Sequence, residues 1–176
     1  MDDESVILKL LTCDPAAIER FSFVNQSFYT RVLDAHDGDS LRVSVEVNKK
    51  LYYVMTRLIG IDTAEITSKN PVEQARAVAA RNFALSWALQ KPVDPNITKK
   101  QIKDALAKTP AIVFVKCREA DKFGRVLTEF YRTRDDAGPS LNEQLIASGH
   151  AIAYEGDKKV YDWGAGLPAT PPSGTS

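Results

Sequence analysis

The chain has 176 residues, its 23 lysines and arginines balanced by 23 aspartates and glutamates, and 44% of it is apolar. That length and composition give one domain with an ordinary core, and neutrality leaves the recognition of any polyanion to local patches. Two cysteines far apart, Cys13 and Cys117, and two histidines, His36 and His150, argue against a disulfide framework and against a zinc centre.

The acidic start Met1-Asp2-Asp3-Glu4 is the reverse of a basic secretory leader, and no stretch approaches the roughly 20 apolar residues of a membrane span. An intracellular protein without membrane contact is expected. Residues 4–20 read as a helix interrupted at Pro15, with Val6, Leu10, Leu11 and Ile18 apolar, an extension expected to pack on the domain. Ser27 to Leu33 is a first strand. Leu41, Val43, Val45 and Val47 alternate with Arg42, Ser44 and Glu46, the period of a half-buried strand. After a polar turn at residues 48–50, residues 51–61 form a second long strand. The hairpin so formed returns its far end, at Asp62, toward Asp39.

The spacing predicts a long helix over 72–90, with Ala75, Ala79, Phe83 and Trp87 recurring on its buried face and Pro71 near its start. A second helix over 98–108 opens with a Thr98–Gln101 capping box and buries Ile102 and Leu106, with its lysines outward. Residues 111–117 and 125–132 are strands joined by the turn at 121–124. Ser140 and Glu143 cap a third core helix that ends at Gly149. Residues 151–154 are a short strand, and residues 164–176, rich in Gly, Pro, Ser and Thr, are expected to be disordered. This order predicts an α+β, mainly β fold: a five-stranded oligonucleotide/oligosaccharide-binding (OB) barrel with packed helices. The expected divisions are a helical extension over 1–26, the barrel domain over 27–160 and the tail over 164–176.

Three segments carry chemistry: Asp37-Gly38-Asp39-Ser40, Arg57 with Asp62-Thr63-Ala64-Glu65, and Asp121-Lys122-Phe123-Gly124-Arg125. Each alone has a plain structural use, as a turn, a helix start or a surface ion pair. Together they place carboxylates and arginines at spacings that suit one hard cation and one phosphate. Aspartates supply the oxygen ligands that calcium takes, arginine's planar fork meets phosphate oxygens, and a carboxylate free of the metal can orient or deprotonate water. No phosphate-binding glycine loop and no Glu-x-Lys nuclease site is present.

These segments, with Leu141-Asn142-Glu143 and Gly149-His150-Ala151, resemble the staphylococcal nuclease (thermonuclease-like) family from about residue 28 to 160. Lys69-Asn70-Pro71 and Tyr154-Glu155-Gly156 resemble the versions carried by large DNA viruses. The resemblance implies an OB-type barrel and calcium-dependent hydrolysis of DNA and RNA by a monomer. It gives Asp39, Asp62 and the Thr63 carbonyl to calcium, Glu65 to the attacking water, Arg57 and Arg125 to the phosphate, and Lys122 and Tyr154 to the nucleotide. Against the family pattern, Ser40 stands for threonine, Ala64 for proline, which is expected to loosen the loop carrying Glu65, and Phe123 for tyrosine. The alternative is a noncatalytic nucleic-acid or protein-binding module on the same barrel.

Overall fold

Alternating apolar residues in the first strands dictate a sheet with one buried face, and the chain satisfies the demand by closing that sheet on itself. The computed structural model describes residues 3–17, 22–121, 124–156 and 161–165. Strands β1 (Ser27–Asp37), β2 (Ser40–Val47), β3 (Lys50–Leu58), β5 (Ala111–Ala120) and β6 (Val126–Tyr131) form a closed barrel in the order β1-β2-β3-β6-β5. All neighbours are antiparallel except β3 and β6, which run parallel. This is an OB-like α+β barrel, as expected. Val32, Leu41, Val43, Val45, Leu58, Val113, Val115 and Phe130 fill its interior.

On the closed barrel α2 (Pro71–Leu89), α3 (Lys99–Lys108) and α4 (Leu141–Ala147) add their apolar faces. The Asn70 side chain accepts from the Val72 and Glu73 amides at the start of α2, and Pro71 occupies the position where its missing N–H costs nothing. Both predicted capping boxes, Thr98–Gln101 and Ser140–Glu143, are formed.

Three expectations are corrected. The first helix, α1 (Asp3–Thr12), buries no residue. Its aliphatic residues include Ile7 and Leu8 as well as the expected three, all exposed, and Pro15–Ala17 is a separate 3-10 turn. Phe23, beyond it, is what joins the core, in an edge contact with Phe28. Ile18 lies outside the described residues. On α2 the buried residues include Ala77, Ala80, Arg81, Ala84, Leu85 and Ala88; Trp87 is buried and Phe83 packs on the core as expected, while Ala75 and Ala79 face outward. The strand read as continuous to Ile61 ends at Leu58. Gly60 turns the corner at φ +76°, a conformation that favours glycine. Ile61–Asp62 is a separate strand, β4, paired with β7 (Ile152–Ala153). Beyond the expected domain end at 160, Trp163 is buried against Ala64 and Ala77. Of the tail, residues 166–176 lie outside the described residues.

Candidate functional site

The site grows from the β1–β2 turn. Asp37 pairs with Ser40, so Gly38 and Asp39 form a two-residue connection. Gly38 lies under α2: a Cβ there would come within 2.5 Å of the Ala80 Cβ and 3.1 Å of both the Ala80 carbonyl carbon and the Thr63 Cγ2. Two extra residues in β1, between Val32 and Asp34 and between Ala35 and Asp37, break the pairing with β2. Such bulges re-aim side chains. Asp34 ends 3.1 Å from Arg42 Nη1, and Asp37 turns inward to accept the Ile66 amide at 3.2 Å.

The hairpin brings Asp39 and Asp62 to one guanidinium. Arg57 Nη2 lies 2.8 Å from Asp39 Oδ2 and 3.2 Å from Asp62 Oδ1. Each carboxylate has a second partner: the Ser40 hydroxyl donates to Asp39 Oδ1 at 2.9 Å, and the Trp163 indole N–H donates to Asp62 Oδ2 at 3.2 Å. Both aspartates are almost wholly buried. Burial pushes the Asp39 carboxyl up to about 6, and the pull of Arg57 and Ser40 in the other direction does not offset it. One guanidinium thus faces two buried carboxylates.

Arg125 stands at the start of β6. Its Nε and amide both donate to the Asp121 carboxylate, at 2.6 and 2.9 Å. It lines a cleft of about 300 Å³ with His36, Asp37, Ser40, Arg42 and Met55. His36 belongs to β1 rather than to a loop, with Nε2 3.7 Å from Asp37 Oδ2.

Glu65 stands three residues beyond Asp62, half-buried. Its amide donates to Glu73 Oε1 at 3.3 Å, the next amide donates to Asp37, and its carbonyl accepts from Ser68. Ala64 between them is buried against Trp163 and Ala77. The loop expected to loosen without proline is therefore tied at both amides and packed from below. Thr63 is buried, its methyl group facing Gly38. Tyr154 follows β7, its amide on the Gly60 carbonyl at 3.0 Å. Neither Glu65 nor Tyr154 lines the cleft shared by Arg125 and Arg42. Lys122 and Phe123 lie outside the described residues.

Sequence reasoning missed Trp163, Asp37, Glu73 and Arg42. Only Asp37 carried a signal, as the first residue of its motif. Among the described residues no group of three or more His, Cys, Asp or Glu stands together as a metal cluster. The donors present are two buried carboxylates, all oxygen, that meet at one guanidinium. That set fits a hard cation that completes its shell with carbonyls and water, with Arg57 as the group it must displace. No protein-family model matches the chain, and no curated protein matches it.

Proposed function

We propose that the chain is a calcium-dependent nuclease of the staphylococcal nuclease type, hydrolysing phosphodiesters of DNA and RNA. The observation that carries this reading is the meeting of Asp39, Asp62 and Arg57, with Arg125 on the adjacent strand facing an open cleft. Asp39 and Asp62, with the Thr63 carbonyl, would hold the calcium ion, which when bound supplies charge stabilisation to a phosphoryl oxygen and acidifies water. Arg57 exchanges its carboxylates for phosphate oxygens, and its fork carries the charge that builds on them. Arg125 exchanges Asp121 for the phosphate on the leaving side. Glu65, its loop fixed by Asp37 and Glu73, orients the attacking water and accepts its proton.

A noncatalytic binding module is favoured by one observation: Arg57 already pairs with both carboxylates, so the fold holds them together without a cation. Calcium titration and a plasmid-cleavage assay separate the two readings. The nuclease cuts DNA and RNA with calcium and stops with chelator. Glu65→Gln keeps calcium binding and loses most cleavage, since the amide cannot accept a proton. Asp39→Asn weakens calcium binding itself. Full activity in excess chelator, or normal cleavage by Glu65→Gln, overturns this mechanism. Nucleic-acid binding without cleavage under any divalent metal leaves the module.

A further inference from the structure

Helix α1 and one face of α2 are both apolar and both open to solvent. At about 100° per residue, Val6, Leu10, Ile7, Leu11 and Leu8 spread in that order over about 200° of the α1 circumference. They are between 38% and 79% exposed. Asp3 and Glu4 fall inside the same arc, and the one cation of the helix, Lys9, lies opposite. The five aliphatic side chains offer on the order of 500 Å² of apolar surface, as much as the largest patches monomers carry, and such patches mark interaction sites. On α2, Pro71, Val72, Ala75, Arg76 and Ala79 line a shallow groove of about 490 Å³. They form two rows of i, i+4 neighbours, 71-75-79 and 72-76, with a furrow between them. The two alanines, both exposed, let a second helix come close to the backbone. Residues 6 and 10 of α1, and 7 and 11, are rows of the same kind, so a ridge of one helix fits the furrow of the other. The charged side chain among the five is Arg76, which gives Nη1 to the Trp163 carbonyl at 2.7 Å and has further donors on its fork. An apolar arc that includes two acids is thus matched by a groove whose charge is positive.

We propose that α1 is an arm that seats its apolar arc in the α2 groove of a second copy of this chain, reciprocally, so that two copies form a twofold dimer in place of the monomer the resemblance implies. The area favours the reciprocal pair. One arm in one groove buries at most about 1,000 Å² counted on both sides, below what stable interfaces bury, whereas two such contacts reach about 2,000 Å². Twofold symmetry supplies the second contact without any new surface. Charge disfavours a membrane as the occupant: surface-seeking helices are rich in lysine and arginine, and α1 carries two acids within its apolar arc. The dimer does not depend on the nuclease reading, since neither surface holds a residue of the candidate site.

The test is sedimentation equilibrium of the full chain from low to high micromolar concentration. The expected result is a mass that rises to twice that of one chain. Leu10→Lys on the arm and Ala79→Glu in the groove should each weaken the dimer at least about tenfold. An equimolar mixture of the two variants, which holds one intact arm for one intact groove, should associate more tightly than either variant alone. Both residues are exposed, so circular dichroism melts of the variants should match the parent. A parent that stays monomeric throughout, or a dimer that survives either substitution, overturns the proposal. In a monomeric parent, hydrogen exchange and vesicle flotation identify what covers the arm instead. Protection of the α1 amides that is lost in Ala79→Glu gives the arm to the groove of its own chain. Binding to phosphatidylserine vesicles that is lost in Leu10→Lys gives it to a membrane. Either result overturns the second copy as the occupant.

Discussion

Arg57 and Arg125 are assigned the same task and are held in opposite ways. Arg57 takes its partners from two places that only the closed barrel brings together, the β1–β2 turn and β4, and its side chain is 15% exposed against carboxylates almost wholly buried. Arg125 takes its partner from four residues earlier on its own turn, at 27% exposure. The first arrangement makes the arginine part of the fold's charge balance. The second is local and wetter. On the proposed nuclease reading, the phosphate clamp has one arginine tied to the architecture and one tied to its own turn.

Removing each arginine tests that difference. Either alanine variant removes one guanidinium, but the geometry separates them. Arg57→Ala strands two buried carboxylates and should cost about 3 kcal/mol of stability in urea unfolding, together with a loss of roughly a thousandfold or more in cleavage. Arg57→Lys should recover part of the stability and little of the cleavage, because a point charge cannot reproduce the fork. Unchanged stability in Arg57→Ala would erase the contrast. Arg125→Ala should lose cleavage to a comparable degree while shifting stability by less than about 1 kcal/mol, a shift that shrinks further at high salt. The third expectation is smaller. Trp163→Phe keeps the ring packed on Ala64 and Ala77 but removes the indole donor to Asp62, and should cost about 1.5 kcal/mol. If that cost does not appear, the indole donor adds nothing to the balance of Asp62.

How legible these features were follows from how local they are. The β2–β3 hairpin shows in its period of two, and its polar turn is real: Asn48 and Lys49 both take left-handed conformations, at φ 52° and 64°. From that hairpin the approach of Asp62 to Asp39 follows by counting. The Arg125–Asp121 pair was visible as four residues within one turn. The β1 bulges were not, since an inserted residue in an apolar strand has no side-chain signature, and with them went the placement of Asp34 and Asp37. Trp163 is about a hundred residues from the carboxylate it serves, and an indole near a chain end reads as any aromatic would. The buried face of α2 was misread because alanines occupy nearly every candidate position, so spacing alone could not choose between Ala75/Ala79 and Ala77/Ala84.

The glycine between the two aspartates has a consequence for how such chains diverge. Its position is dictated by the backbone and side chain of Ala80 pressing on it, a constraint that owes nothing to phosphate or cation. Shrinking residue 80 to glycine would clear the nearest clash but leave the 3.1 Å approach of the helix backbone, and would weaken the helix by about 1 kcal/mol. Substitution at 38 is therefore closed off on its own and only half opened by a compensating change. A descendant that had lost Asp39 and Asp62 would still have to keep Gly38. The glycine of this motif therefore reports the packing of α2 on the turn, whatever the site does.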